Sequence, residues 1–167
     1  MKKIGIFTAS DGKNLELSQK IQEALTAKGV DAHIVDIAAL DLPLFSNTND
    51  KKFSAAELVA PVKTQLEVNG FFFVAPEYNG STPPTFNNFL AWVSRSNKDW
   101  RQSFNSRPAA IATYSAGGGI HALMSMRMQL SYIGMNVIGR QLVTTAQKPL
   151  DEASLTAICN ELIMNLK

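Results

Sequence analysis

Residues 70–92 read GFFFVAPEYNGSTPPTFNNFLAW, an unbroken apolar run followed by a proline-rich loop and the start of a helical pattern. The run from Phe71 to Ala75 has no polar residue on either face, which is typical of a parallel strand buried on both sides. From Pro83 onward the apolar residues recur at the helical period, as Phe86 and Phe89 do. A buried strand that leads through a loop into an amphipathic helix predicts a layered α/β fold.

The alternation of strand and helix patterns continues in both directions from this stretch. Further strands are predicted at residues 4–7, 32–37, 108–114 and 136–138. Helices are predicted at about 17–28, 54–67, 83–95, 119–134 and 151–166, and residues 40–49 are predicted to form an irregular loop. Ser54 and Glu57 have the spacing of a capping box, and Pro61 predicts that their helix is kinked or begins later.

Five strands that alternate with helices predict a three-layer, flavodoxin-like doubly wound α/β sandwich with right-handed crossovers. The strand count favours a five-stranded parallel sheet in the order 2-1-3-4-5, with helices on both faces, over the six-stranded dinucleotide-binding order. In both orders a ligand binds at the carboxyl ends of the strands, where the strand order reverses. The loops after strands one, three and four are therefore the candidate site.

Composition excludes several classes of protein. The chain has 167 residues, 46% of them hydrophobic and 18% charged, which suits one globular domain over residues 1–167. No apolar run reaches the roughly 18 residues that cross a bilayer, and Met1-Lys2-Lys3-Ile4 does not begin a signal peptide, so a cytoplasmic protein with no membrane partner is expected. Cys159 is the single cysteine, and no Cys or His spacing indicates a metal site. A net charge of +2 argues against a nucleic-acid partner.

The loop after strand one, Thr8 to Leu15, combines hydroxyl, amide and basic side chains directly ahead of a helix. Free N–H groups and the helix dipole attract phosphate to such a position. The loop matches neither the P-loop nor the G-x-G-x-x-G pattern. In the alternative interpretation Ser10 or Asn14 merely caps the helix, and the doubly wound fold favours the phosphate site over it.

The loop after strand three, Pro76 to Pro84, contains prolines and a glycine that stiffen the chain around one aromatic ring. Tyr78 offers a stacking or edge contact to a planar heterocycle, and the backbone near Asn79 with the Ser81 hydroxyl offers hydrogen bonds. The alternative is a rigid turn whose tyrosine packs against a neighbour.

The loop after strand four, Tyr114 to Gly119, contains three consecutive glycines. Such a run lets the backbone approach a flat ligand closely, with its N–H groups exposed. A flexible turn without a ligand is the alternative.

The motif Pro76-Glu77-Tyr78-Asn79-Gly80-Ser81, continued by Pro83, Phe86, Asn88 and Trp92, resembles the P-E-Y-N-x-S-x-P-x-x-L-K-N-x-x-D-W signature of the NAD(P)H-dependent FMN reductases. That flavodoxin-like family also includes quinone, azo-dye and chromate reductases. The resemblance extends over essentially the whole chain. Asn87 and Ala91 replace the lysine and aspartate of the signature.

The resemblance implies an FMN site formed by all three loops. Its residues are Ser10, Lys13, Asn14 and Leu15 at the phosphate, Pro76, Glu77, Tyr78, Asn79 and Ser81 along the ring, and Ser115, Gly117 and Gly118 on the other side of the ring. NADPH or NADH is implied as co-substrate, passing a hydride to flavin N5. The electrons then go to a small acceptor, which is a free flavin, quinone, azo compound or metal oxyanion, by a ping-pong mechanism.

No side chain need act as acid, base or nucleophile when the cofactor carries the chemistry. We therefore expect His33 and His121 to be structural, and Met124, Met126, Met128 and Met135 to pack in the interior or at an interface. The resemblance also implies a homodimer or homotetramer, with Trp92 and Arg127 as candidate interface residues.

Two other functions remain open at this point. A flavodoxin-like carrier would exchange electrons with protein partners, and a non-catalytic flavin-binding domain would not turn over. Such carriers are typically acidic, so a charge of +2 favours small anionic ligands instead.

Overall fold

The computed structural model describes residues 1–166. The strands are β1 (Lys3–Thr8), β2 (Asp31–Asp36), β3 (Gly70–Val74), β4 (Pro108–Tyr114), β5 (Asn136–Val137) and β6 (Leu142–Thr144). The α-helices are α1 (Lys13–Thr26), α2 (Asn47–Lys52), α3 (Ala55–Val59), α4 (Lys63–Leu66), α5 (Pro84–Val93), α6 (Ile120–Tyr132) and α7 (Glu152–Met164). None of these described helices is long and apolar enough to cross a membrane.

The strands form a parallel sheet in the order β2-β1-β3-β4-β5, which confirms the predicted fold. The fifth position is shared by two short strands, because β5 pairs with β4 at Pro108 and Ala109 while β6 pairs with it from Ala112 to Tyr114. The sequence pattern did not identify β6, whose three residues are too few to display a period.

β3 lies between β1 and β4 and is buried along its whole length. Phe71 and Phe73 pack in the layer of α3, α5 and α6, whereas Phe72 and Val74 pack in the layer of α1 and α7. The Phe7 ring lies 5.5 Å from the Phe73 ring, centroid to centroid. Each buried phenylalanine stabilises the fold by about 1.5–3 kcal/mol, so the apolar run that predicts the fold also joins its two layers.

The helix predicted over residues 54–67 is interrupted at Pro61. α3 ends at Val59, a 3-10 turn spans Ala60–Val62, and α4 follows it. The kinked alternative is confirmed, because proline lacks the N–H that a continuous helix needs and its ring clashes with the preceding turn. The Ser54 hydroxyl accepts the Glu57 N–H at 3.3 Å, as the first half of the capping box requires.

Residues 40–49, predicted as irregular, include the start of α2. Ser46 caps this helix by accepting the Asn49 N–H at 3.1 Å. The prediction was wrong from residue 47 onward, because Asn47 to Lys52 carry no apolar stripe that would have marked a helix.

Candidate functional site

Three loops lie together at the carboxyl edge of the sheet, where β1, β3 and β4 are neighbours. We refer to residues 9–12 as the first loop, residues 75–83 as the second loop and residues 115–119 as the third loop. The Ala9 N–H donates to the Val74 carbonyl at 2.9 Å, and the Ala75 N–H donates to the Ala112 carbonyl at 3.2 Å. The edge predicted from the strand order therefore carries all three candidate loops.

The first loop ends at Gly12, which has φ 63° and ψ −131°. No side chain among the described residues caps α1, so neither Ser10 nor Asn14 is its cap. The backbone N–H groups of residues 13–15 precede the first hydrogen bond within the helix. No described side chain accepts these N–H groups, and they lie at the positive end of the helix dipole.

Asn14 is 4% exposed, and its side chain faces inward. Its Nδ2 donates to the Tyr114 carbonyl at 3.0 Å, and the Tyr114 N–H donates to its Oδ1 at 2.8 Å. The Asn14 amide thus joins α1 to the end of β4. Its backbone N–H is the group that it offers to a ligand.

Ser10 and Lys13 lie near the surface at the start of α1. The Ser10 hydroxyl donates to the Asp11 carbonyl at 3.3 Å, and the Lys13 ammonium lies 2.8 Å from the Glu16 carboxylate. The hydrogen bond with Glu16 raises the pKa of Lys13, so the ammonium is charged at neutral pH. An exposed pair of this kind is weak, so the Lys13 side chain is able to turn toward an anion.

Two threonine hydroxyls donate hydrogen bonds to carbonyls of the first loop. The Thr8 hydroxyl donates to the Ser10 carbonyl at 3.0 Å, and the Thr85 hydroxyl, in the first turn of α5, donates to the Ala9 carbonyl at 2.7 Å. Sequence reasoning missed Thr85. The available signal was its hydroxyl in the first turn of the helix that directly follows the second-loop motif.

The second loop presents Tyr78 on a tight turn. Tyr78 and Ser81 exchange both backbone hydrogen bonds, at 2.9 and 3.1 Å, around Asn79 and Gly80. The φ values of these two residues, 51° and 73°, are those of a type I′ turn. Tyr78 is 51% exposed rather than packed in the core, and the Ser81 hydroxyl lies 3.3 Å from the Ser125 hydroxyl of α6.

Glu77 lies between the buried Pro76 and the exposed Tyr78, and its side chain points to α6. Its Oε2 accepts the backbone N–H of His121 at 2.9 Å and that of Ala122 at 3.2 Å. The Nδ1 of His121 lies 3.6 Å from the same oxygen. The carboxylate therefore joins the second loop to the first turn of α6.

The third loop is anchored at both ends, and the backbone between the two anchors is accessible. Ser115 is buried, and its N–H donates to the Thr144 carbonyl of β6 at 3.1 Å. Gly119 has φ 72°, and a Cβ atom at this position would collide with Thr113. Residues 117–118 lie between these two anchors, where the backbone is accessible.

Asn88 and Trp92 hold residues 41–46 against α5. The Asn88 Nδ2 donates to two carbonyls of this segment, at 3.1 Å each, and its Oδ1 accepts the Phe45 N–H at 2.7 Å. The Trp92 Nε1 donates to the Pro43 carbonyl at 2.6 Å, and the ring is fully buried. The expectation that Trp92 lies at a subunit interface is therefore wrong, because the ring belongs to the core of its own chain.

Arg127 makes its hydrogen bonds within the chain, to the end of β5 and the turn that follows it. Its guanidinium donates to the carbonyls of Val137, Ile138 and Gly139 and to the side chain of Gln141. Arg127 therefore links α6 to the interrupted fifth position of the sheet, which argues against its expected interface role.

α6 presents an apolar face to the surface, beside a groove of about 600 Å³ between α5 and α6. This exposed face consists of Ile120, Met124, Met128 and Tyr132, which are 46%, 64%, 67% and 78% exposed. Met126 and Met135 are buried as predicted, whereas Met124 and Met128 are not packed within the chain.

Reactive side chains are sparse at the carboxyl edge. Within residues 1–166, no group of three or more His, Cys, Asp and Glu residues is placed to hold a metal ion. Cys159 is buried in α7, and this burial raises the pKa of its thiol to about 11. His33 pairs with Asp31 at 2.7 Å, on β2. Besides the exposed Lys13 and His121 side chains, the edge offers a ligand backbone donors, hydroxyls and one exposed aromatic ring.

Comparison with known proteins gives consistent results. The model of the NADPH-dependent FMN reductase family matches residues 2–149. A 2-hydroxy-1,4-benzoquinone reductase of a Burkholderia species is 33% identical over 120 residues, which are 69% of this chain and only 61% of that protein. An NAD(P)H-dependent FMN reductase of Pseudomonas aeruginosa is 28% identical over 141 residues, 80% of this chain and 73% of that protein.

Among solved structures, a flavoenzyme NAD(P)H:(acceptor) oxidoreductase of Paracoccus denitrificans superposes with a TM-score of 0.74. The match is 21% identical and covers 99% of this chain and 95% of that one, which is evidence for the fold alone. The family match, by contrast, covers most of the chain and includes all three loops. The chain therefore belongs to the NADPH-dependent FMN reductase family.

Proposed function

We propose that residues 1–167 form a single domain that acts as an FMN-dependent NAD(P)H oxidoreductase. One observation carries the proposal: the N-terminus of α1, which no described side chain caps, opens beside an exposed aromatic turn and a glycine loop. A site of backbone donors and one ring suits a cofactor that brings its own chemistry. The cytoplasmic location expected from the sequence remains a prediction.

In this proposal the FMN phosphate binds at the start of α1. The backbone N–H groups of Lys13, Asn14 and Leu15 donate to it, with the Ser10 hydroxyl beside them. The helix dipole and the Lys13 ammonium both favour the dianion. Because the Asn14 side chain is held by Tyr114, its backbone N–H is fixed in direction before the phosphate arrives.

The isoalloxazine ring binds between the second and third loops. Pro76, Glu77 and Tyr78 line one side through their backbone and the Tyr78 ring, while Asn79 and Ser81 offer hydrogen bonds. Ser115, Gly117 and Gly118 form the other side. The prolines and the type I′ turn make the first of these walls rigid, so little conformational entropy is lost when the ring binds.

Bound FMN supplies the redox chemistry, which is acceptance of a hydride at N5 from NADPH or NADH and delivery of electrons to a small acceptor such as a free flavin, quinone, azo compound or metal oxyanion. The residues of the chain hold the ring at an open edge of the sheet. Tyr78 and Gly117, both exposed, border the accessible side. One open side serves the nucleotide and the acceptor in turn, which predicts ping-pong kinetics.

A second copy of this chain is the proposed partner of the apolar face of α6. Four large apolar side chains at intervals of four residues form one continuous stripe, and a stripe of this kind on a surface helix marks an interaction site. Met128→Glu, near the middle of the stripe, should shift a dimer or tetramer toward monomer in sedimentation experiments. Met164→Glu is the matched control, because Met164 is 82% exposed on α7, outside the stripe. A wild-type chain that sediments as a monomer contradicts this part of the proposal.

Anaerobic rapid mixing of FMN-loaded protein with NADPH, and separately with NADH, tests the reductase activity. We expect the visible flavin absorbance to be lost with at least one nucleotide and restored when a quinone is added in a second mixing step. Protein that binds no FMN contradicts the proposal. Protein that binds FMN and is reduced by neither nucleotide is instead an electron carrier or a non-catalytic flavin-binding domain.

A further inference from the structure

The first turn of α6 is capped by a residue 44 positions away in the sequence. Gly119, directly before the helix, has no side chain, and among the described residues no local cap is present. The Glu77 carboxylate from the second loop accepts the N–H groups of His121 and Ala122 instead, at 2.9 and 3.2 Å. The side chain of Glu77 is 12% exposed, so the carboxylate itself is largely shielded from water, although His121 is exposed.

This contact is stronger than an ordinary surface hydrogen bond. A carboxylate that accepts backbone N–H groups makes charge-assisted bonds, and its charge lies at the positive end of a helix of 13 residues. The other oxygen, Oε1, would lie 3.6 Å from a Cβ atom at Gly117, so the carboxylate also lies against the third loop. Among the described residues, His121 is the titratable side chain that pairs with it, with Nδ1 3.6 Å from Oε2.

We propose that Glu77 is a positioning residue that joins the second loop to the third loop and α6, so that both walls of the flavin ring site keep a fixed separation. The inference rests on the proposed function, because the ring is assigned to the space between these loops. It changes the role expected for Glu77, whose side chain holds the site together while its backbone lines the site. It also occupies the N-terminus of α6 with a protein anion, whereas no described side chain caps the N-terminus of α1.

Hydrogen exchange of the flavin-free protein tests the junction itself. Glu77→Ala should raise the exchange rates of the His121 and Ala122 amides by roughly tenfold or more, because both lose a charge-assisted acceptor. Glu77→Gln keeps one acceptor oxygen and should give intermediate rates. Glu152→Ala is the control, because Glu152 also lies in a first turn but Asp151 caps that helix. Unchanged rates in Glu77→Ala overturn the inference.

Flavin titration tests the consequence for the site. Glu77→Ala should weaken FMN and riboflavin by the same factor, roughly tenfold, because the residue acts on the ring walls and not on the phosphate. The visible spectrum of bound flavin should also change in Glu77→Ala and be largely restored in Glu77→Gln, which a general loss of stability would not produce. A loss confined to FMN, or no loss, overturns the inference.

The two proposals fail in different ways. If the wild-type protein binds neither flavin, the proposed function is wrong, and the exchange rates alone decide whether Glu77 joins the loops. If the wild-type protein binds FMN while Glu77→Ala leaves exchange, affinity and spectrum unchanged, only the positioning role is wrong. Glu77→Gln keeps these tests valid if Glu77→Ala does not fold.

Discussion

α1 and α6 both begin at the carboxyl edge of the sheet, directly after a glycine with positive φ, 63° at Gly12 and 72° at Gly119. The two N-termini differ in what occupies them. α6 is capped by the Glu77 carboxylate, whereas no described side chain caps α1. The chain thus neutralises one positive helix end with its own anion and leaves the other available.

The difference bears on the place proposed for the FMN phosphate. Two open helix ends would offer two competing positions for a phosphate. Glu77 accepts the His121 and Ala122 N–H groups of α6, whereas no described side chain accepts the N–H groups of residues 13–15 in α1. The proposed FMN site uses this difference by placing the phosphate at α1 and the ring between the second and third loops. In that proposal, the Glu77 carboxylate disfavours a phosphate at α6, and the free N–H groups of α1 favour one there.

The largest expected effect is on the free energy of unfolding, and it differs between Gly119 and Gly12. Gly119→Ala should lower the free energy of unfolding by about 3 kcal/mol, because positive φ and a collision with the buried Thr113 both oppose the added methyl group. Gly12→Ala should cost about 2 kcal/mol from its backbone conformation alone, φ 63° and ψ −131°, since its added Cβ meets no described atom within 4 Å. Urea denaturation of both variants measures the difference.

A second-site change checks the cause of that loss. Thr113→Ser removes the methyl group that the added Cβ would strike, so the double variant Thr113→Ser with Gly119→Ala should recover part of the stability. Equal losses in Gly119→Ala and Gly12→Ala would show that close packing beneath the third loop does not distinguish the two helix ends.

Placing a carboxylate at the open end of α1 should make it resemble α6. Gly12→Asp should weaken FMN on the order of 100-fold, because the phosphate loses its charge-assisted bonds and meets a like charge. Riboflavin, which has no phosphate, should be affected no more than in Gly12→Ala. Flavin titrations of Gly12→Asp and Gly12→Ala separate the effect of the charge from that of backbone strain. An equal loss of affinity for FMN and riboflavin in Gly12→Asp would place the phosphate elsewhere.

Asn14 tests how firmly the open helix end is anchored. Asn14→Ala should lower the free energy of unfolding by about 2 kcal/mol, because the N–H and carbonyl of Tyr114 lose their partner at a largely buried site. Asn165→Ala is the matched control, since its hydrogen bond to the Glu161 carbonyl is exposed. A loss in Asn14→Ala as small as that in the control would mean that Tyr114 is satisfied by water.

The smallest effect concerns α7, a helix capped locally by Asp151, which accepts the N–H groups of Ala153 and Ser154. The side-chain hydrogen bond from Ser154 lowers the pKa of Asp151 below its usual value of 3.8. The Asp151 carboxylate therefore stabilises the folded state fully above its pKa in the unfolded chain. This stabilisation is lost as the pH falls through its lower pKa in the folded protein.

Asp151→Ala should accordingly destabilise the protein at neutral pH by less than Asn14→Ala does. The difference from wild type should shrink only below about pH 4. Denaturation over a pH series measures it, with Asp151→Asn as the control that retains a capping side chain. A difference that does not change with pH would rule out a role for the charge.

The strands and loops were predictable because their signals are local. The run Phe71 to Ala75 identifies the central strand, and the turn residues Asn79 and Gly80 identify a rigid loop wherever the chain places them. Pro61 likewise predicted the break in its helix. β6 was missed because three residues carry no period, and its pairing with β4 depends on a neighbour about 30 residues away.

The roles of individual site residues were less predictable. Asn14 was expected beside the phosphate and Glu77 along the ring, yet the side chain of each is bonded to another part of the chain. Trp92 was expected at an interface and is fully buried. In each case the type of side chain suits both the expected binding or interface role and a structural hydrogen bond. The partner that decides between them lies 44 to 100 residues away along the chain.

The sequence by itself determined the parallel α/β sandwich, the edge that carries the site and the resemblance to the FMN reductases, because apolar period, turn residues and motif spacing are properties of short segments. Only the tertiary structure decided which helix end is left open and which is capped. That choice depends on a carboxylate from one loop reaching the backbone of a distant helix, and a contact of this kind exists only after the sheet has brought the two loops together.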